Sequence, residues 1–240
     1  MTRRQPVPGL KREIKAGTKS RNMNQIVITS DGSHTIFVPG LNEHYHSVNG
    51  AVQESEYIFL QNGYDLCNSD PLRILEIGFG TGLNALLTAV RSLSLTKNVH
   101  YTSLEKYPLD TEIIQKLNHY TFAGTHGKEL FEKIHSCEWG KKNSLLPCFS
   151  LLKIKGDLIT DGIQGEYDLV YFDAFGPDKQ PEMWTRNIME KVSGATKPGG
   201  MFVTYSSKGE IRRMLTESGF YVTLVPGPPG KRHIIRAIKN

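Results

Sequence analysis

The chain has 240 residues, 38% apolar and 22% charged, with 23 Gly, 12 Pro and 3 Cys. That length supports a large α/β domain without staples, and Cys67, Cys137 and Cys148, odd in number with no C-x-x-C pair, exclude a disulfide scaffold and give a structural zinc no support. The net charge of +5 is uneven: residues 1–21 hold seven Lys/Arg against Glu13, residues 208–240 hold seven against two acids, and the body between is acidic, which points to a polyanion met by the ends.

Residues 1–21 read as a basic arm. Gln25–Thr29 and His34–Val38 alternate around Asp31-Gly32 as a β-hairpin, and residues 50–66 carry a helical pattern, so 22–71 form an N-terminal extension. From Leu72 to the end, strands and helices alternate. The spacing predicts strands at Leu72–Ile77, Val99–Leu104, Phe149–Ile154, Tyr167–Phe172, Met201–Tyr205, Tyr221–Val225 and His233–Ile238. Helices are expected at Leu83–Leu95, Leu109–Leu117, Glu182–Val192 and Gly209–Ser218, and residues 120–147 read as a further helix followed by a loop. This is an α/β domain over 72–240 with a mostly parallel seven-stranded sheet. Pro226 to Arg232 is too short for a helical crossover, so the last two strands close the sheet as an antiparallel hairpin. No apolar run approaches the ~20 residues of a membrane span, and nothing apolar follows Arg3-Arg4, so the chain reads as cytoplasmic.

The sharpest motif is Glu76-Ile77-Gly78-Phe79-Gly80-Thr81-Gly82-Leu83-Asn84, between the first core strand and its helix. Gly80-x-Gly82-x-x-Ala85 also satisfies a dinucleotide pattern, which keeps a nicotinamide-dependent oxidoreductase open. Two features oppose that reading: the glycines begin at Gly78, and Glu76 puts a carboxylate where a pyrophosphate needs positive potential. A ligand with a cationic centre and no phosphate suits the acid, and S-adenosyl-L-methionine is one. Glu105 ends the second strand, where a carboxylate can accept both hydroxyls of a ribose; Asp157 follows the third and faces the adenine end; Asp173 ends the fourth. His44 and His46 stand two apart with no third ligand near, so no metal is expected.

Asp173-Ala174-Phe175-x-Pro177-x-Lys179-x-Pro181-Glu182-Met183-Trp184 resembles the signature of the MnmC-type tRNA methyltransferase domain. Glu54-x-x-Tyr57-Ile58-Phe59-Leu60, Glu76 through Asn84 and Gly230-Lys231-Arg232 are similar to further stretches of that family, over roughly residues 40–240. The resemblance implies a class I, Rossmann-like fold and S-adenosyl-L-methionine as cofactor, bound by Glu76, Gly78, Gly80, Gly82, Asn84, Glu105 and Asp157. It implies a tRNA substrate, methylated on the 5-aminomethyl group of a wobble uridine or 2-thiouridine. Asp173 is the expected catalytic residue; Tyr45, Phe175, Pro177, Lys179, Lys231 and Arg232 are the expected substrate contacts. Trp184 is a stacking candidate or a core residue. His46 and His233 depart from the family pattern. The family also has a longer form with an FAD-dependent oxidase domain, and the sequence to Asn240 is expected to be the methyltransferase alone. A non-catalytic RNA-binding protein with this fold is the other alternative, carried by the basic ends.

Overall fold

The computed structural model describes residues 23–240, so the basic arm at 1–21 lies outside the described residues. In β1 (Gln25–Ile28), Ile26 and Val27 are half-buried, and the strand pairs antiparallel with β2 (His34–Val38); the two-residue β3 (Glu43–His44) completes a small sheet. The β1–β2 turn also caps the next helix. Asp31 Oδ2 accepts from the Gln53 N–H at 3.0 Å, and Ser33 Oγ accepts from the N–H groups of Ala51 and Val52 at 3.2 and 3.3 Å. Those are orphan donors at the start of α1 (Ala51–Ser55), whose own N-cap, Gly50, offers no side chain. Past Ser55 the chain widens into a π-helical stretch, Glu56–Gln61, and a 3-10 turn, Tyr64–Leu66, so the helix expected over 50–66 is a composite.

The remaining elements follow in chain order: β4 (Leu72–Ile77), α2 (Leu83–Leu95), β5 (Val99–Glu105), α3 (Thr111–Ile114), α4 (Gly127–Ser136), β6 (Lys142–Leu146), β7 (Phe149–Lys155), β8 (Tyr167–Phe172), α5 (Arg186–Ala195), β9 (Thr196–Thr204), α6 (Gly209–Glu217), β10 (Phe220–Pro226) and β11 (His233–Lys239). The main sheet has the order β10-β11-β9-β8-β4-β5-β7-β6. Its five central strands are parallel, and β11 and β10 close one edge antiparallel. The count is eight rather than seven. β6 pairs antiparallel with β7 at the other edge, where the expectation was loop.

Period-two alternation sends Leu72 and Ile74 of β4 to one face and Leu75 and Ile77 to the other. The first face packs against α2, α4 and the composite helix; the second packs against α5 and α6. Because Ile36, Ala51, Val52 and Ile58 belong to the first of these cores, the N-terminal extension is built into the domain rather than tethered to it. Strand order reverses beside β4: the chain runs outward through β5 and β7, then returns to lay β8 on the opposite side. A crevice forms at the carboxyl ends of strands at such a reversal.

Candidate active site

A cleft of about 430 Å³ opens there, lined by the turn after β4, the ends of β5 and β7, the segment after β8, and Glu43–Val48 with Glu54 from the extension. Gly78 has φ +93°, and a Cβ on it would stand 2.6 Å from the Asp173 carbonyl oxygen. The turn after β4 and the segment after β8 therefore touch only because residue 78 has no side chain. One backbone bond fastens them, Asp173 N–H donating to Ile77 O, and another, Gly78 N–H to Leu104 O, ties the turn to β5, both at 2.9 Å. α2 starts at Gly82 with no side-chain cap, so its first-turn N–H groups are available to an anionic ligand group.

Glu105 closes β5 at the cleft wall, with Oε2 accepting from Gly80 N–H at 3.1 Å and Oε1 from Tyr107 N–H at 2.7 Å. Asp157 pairs with Lys106 at 2.8 Å and accepts from Ile159 N–H at 2.9 Å, contacts that hold its carboxyl below the usual range. Asp173 Oδ2 accepts from Asn84 Nδ2 at 2.8 Å. Burial pushes the Asp173 carboxyl up to about 7, against the lowering effect of the Asn84 bond. Tyr45 stands edge-on to Phe175 with ring centroids 5.0 Å apart and lies against Gly80. Six acids line the cleft, Glu43, Glu54, Glu105, Asp157, Asp173 and Glu182, against Lys106 and Lys231. Such a wall favours cationic ligands and disfavours a pyrophosphate.

The structure thus brings Gly78, Gly80, Asn84, Glu105, Asp157, Asp173, Tyr45, Phe175 and Lys231 to one cleft. It leaves five expected residues out of the wall. Glu76 is fully buried beneath the turn, where Ser103 Oγ donates to its Oε2 at 2.5 Å and burial raises its carboxyl to about 8. Its position on the α2 face of β4, between Ser103 and Tyr171, directs it into the core. Gly82 lies behind the turn against His135 and Phe79. Lys179 is turned toward the extension, donating to Asn42 O at 3.0 Å; Pro177 is half-buried outside the wall, and Arg232 is exposed. Trp184 is core: it is buried, stacks edge-on to Phe172 and donates to Phe175 O at 2.7 Å. Sequence reasoning assigned no role to Glu54, Lys106 and Tyr205, which also line the cleft; Glu54 stood in a family-like stretch, the other two carried no signal. Among the described residues no three His, Cys, Asp or Glu side chains are grouped to hold a metal, and no helix is long and apolar enough to cross a membrane.

Residues 152–240 match a family of S-adenosyl-L-methionine-dependent methyltransferases. The tRNA 5-methylaminomethyl-2-thiouridine biosynthesis bifunctional protein MnmC of Idiomarina loihiensis is 32% identical over 219 residues, covering 80% of this chain and 34% of that protein. Its namesake in Campylobacter hominis is 28% identical over 213 residues, covering 85% of this chain and 31% of that protein. The chain spans about a third of the length of the curated relatives it matches. Among solved structures, MNMC2 from Aquifex aeolicus superposes with a TM-score of 0.71 at 27% identity, covering 91% of this chain and 71% of that one. Spermidine synthase from Thermotoga maritima shares the fold, with a TM-score of 0.56 at 13% identity, covering 95% of this chain and 72% of that one. The cleft agrees in chemistry, with a glycine turn that admits close approach, uncapped N–H groups for a carboxylate and an acid-rich wall for cationic centres. The chain carries a class I methyltransferase domain of the MnmC type, with S-adenosyl-L-methionine as its cofactor.

Proposed function

We propose that the domain methylates the nitrogen of the 5-aminomethyl group on a wobble uridine or 2-thiouridine of tRNA, giving the 5-methylaminomethyl nucleoside. The observation that carries this reading is Asp173, held beside the glycine turn by Asn84, with Tyr45 and Phe175 flanking the same end of the cleft. The names of the relatives place those proteins in the biosynthesis of this nucleoside.

In this reading Gly78 and Gly80 allow the cofactor close to the backbone, and the start of α2 with Asn84 receives its carboxylate end. Glu105 accepts the ribose hydroxyls, and Asp157 borders the adenine end. The cofactor supplies a methyl group on a cationic sulfur that leaves with the electrons of the broken C–S bond. Asp173 accepts an N–H of the substrate amine, aims its lone pair and takes the surplus proton once nitrogen has four substituents. A carboxyl raised to about 7 is a better proton acceptor than an ordinary aspartate and is still largely ionised above that pH. Tyr45 and Phe175 offer ring faces and edges to a base taken out of its stack. Glu76 supports the turn from beneath rather than touching the ligand. Arg232, exposed beyond Lys231, and Lys179 at the rim are left for phosphates of the RNA.

The same acids set the substrate form. A 5-carboxymethylaminomethyl group adds a carboxylate next to Asp173, Glu54 and Glu43, and like charges in a confined cleft are costly. Purified tRNA carrying either nucleoside is incubated with methyl-labelled S-adenosyl-L-methionine and digested for mass spectrometry. Label on the aminomethyl nucleoside alone is expected; label on the carboxymethylated one, or on neither, overturns the reading.

A further inference from the structure

Lys231 is the cation whose charge acts on Asp173, and it is already engaged. Its Nζ lies 2.9 Å from Glu54 Oε1, with the two side chains 27% and 12% exposed, and 4.9 Å from the centre of the Tyr205 ring. The other oxygen of Glu54 accepts from Ser47 N–H at 2.9 Å. Both partners are held from outside the pair. The β1–β2 turn caps the helix that carries Glu54, and Tyr57 OH donates to Pro226 O at 3.0 Å, which ties that helical segment to the loop bearing Lys231. Gly230 presses on the Asn49 amide so closely that a Cβ there would overlap it.

Asp173 feels both charges, Glu54 raising its proton affinity and Lys231 lowering it. The other groups that face it are neutral or anionic: Asn84 from α2, Glu76 from β4, Tyr101 from β5 and Tyr205 after β9. Glu54 and Lys231 come from opposite ends of the chain, and the fold makes them partners in the wall of the methyl-transfer site.

We infer that Glu54 is a positioning residue: by holding the Lys231 ammonium at 2.9 Å it withholds that cation from Asp173, which remains free to take the proton of the amine. The inference rests on the reading that Asp173 is that proton acceptor. With Glu54 neutral, the charge of Lys231 is no longer offset at Asp173, and an opposite charge close to a carboxyl lowers its proton affinity. A weaker base then transfers the proton less well.

The test is a double-mutant cycle of Glu54→Gln and Lys231→Gln, read two ways. One readout is the pH dependence of single-turnover methylation; the other is the titration of the Asp173 carboxyl by carbon-13 NMR in the cofactor-free protein. Glu54→Gln should move the Asp173 titration down by about 1–2 pH units and lower the plateau rate about tenfold. Lys231→Gln should move the titration up, and the double variant should return within about half a unit of wild type, because both charges are then gone. Lys231→Gln leaves the hairpin contacts of the helix intact, so its upward shift tests the claim even where Glu54→Gln fails to fold. Shifts in the same direction for both single variants, no shift in Lys231→Gln, or a double variant no nearer wild type than Glu54→Gln overturn the inference. Wild-type turnover in Asp173→Ala overturns instead the reading on which it rests.

Discussion

Gly78→Ala isolates the close contact on which the site depends. Two costs add. A non-glycine residue in left-handed backbone costs about 1–2 kcal/mol, and residue 78 has φ +93°. The new Cβ would also stand 2.6 Å from the Asp173 carbonyl oxygen, where ordinary contact begins near 3.4 Å, so the segment after β8 must retreat by roughly 0.8 Å. That retreat strains the 2.9 Å bond from Asp173 N–H to Ile77 O and the 2.8 Å bond from Asn84 to Asp173, each worth about 0.5–1.5 kcal/mol. The total is about 3 kcal/mol, or a fall in melting temperature of about 6–12 °C for a chain of this size. Gly32→Ala is the control: residue 32 has φ +83° with nothing within 4 Å of the added Cβ, so it bears only the conformational cost. Scanning calorimetry of both variants, with titration of S-adenosylhomocysteine by isothermal calorimetry, separates the two costs. Gly78→Ala should melt several degrees below Gly32→Ala and lose binding at least tenfold, while Gly32→Ala keeps wild-type binding. Equal melting temperatures, or full binding by Gly78→Ala, refute the close-contact argument.

Glu105→Ala should weaken S-adenosylhomocysteine by about 1–3 kcal/mol, since the carboxylate also anchors Gly80 N–H at 3.1 Å; an unchanged dissociation constant contradicts the ribose assignment. Asp173→Ala should cost at least a hundredfold in single-turnover rate and little in cofactor affinity, with Asp173→Asn nearly as slow if the proton is taken there; wild-type turnover removes Asp173 from the chemistry. Burial holds the imidazole of His46 down at about 4, and those of His119 and His135 below their usual range. The unfolded chain binds these protons first, so each imidazole removes about 1.4 kcal/mol of stability per pH unit as pH falls from 6.5 toward 4. His46→Phe should reduce that slope by one imidazole's share in urea titrations at pH 6.5 and 5, and an unaltered slope refutes the assignment.

What the sequence made legible was whatever repeats locally. β4 and β8 are short apolar runs bounded by turn residues, β5 opens on an apolar–polar alternation, and the glycine series sits where strand passes to helix. The antiparallel edge of β10 and β11 was legible; the edge at β6 and the long-range ties were not. Lys142-Asn143-Ser144-Leu145-Leu146 has neither strict alternation nor β-branched residues, and becomes β6 only because the free edge of β7 offers it a ladder. The helix expected over Leu109–Leu117 shrinks to Thr111–Ile114. Just beyond it, Asn118 accepts from His34 N–H at 2.8 Å and donates to Gly32 O at 2.9 Å, which diverts the chain to the hairpin. In the site, strand-end acids could be read from their place after apolar runs. The burial of Glu76 could not, because a carboxylate within a strand gives no sign of which face it takes. The pairing of Glu54 with Lys231 depends on a fold that joins the two ends of the chain.

Methylation of the wobble aminomethyl group with Asp173 at the reacting nitrogen is open to a test in cells. The most direct measurement is the nucleoside profile, by mass spectrometry, of tRNA from a bacterial strain that lacks this methylation and is complemented with the wild-type chain or with Asp173→Ala. The wild-type chain should convert the accumulated 5-aminomethyl nucleoside to its 5-methylaminomethyl form, and Asp173→Ala, expressed to the same level, should leave it unconverted. Failure of the wild-type chain to convert it would overturn the substrate, and conversion by Asp173→Ala would remove Asp173 from the reacting nitrogen.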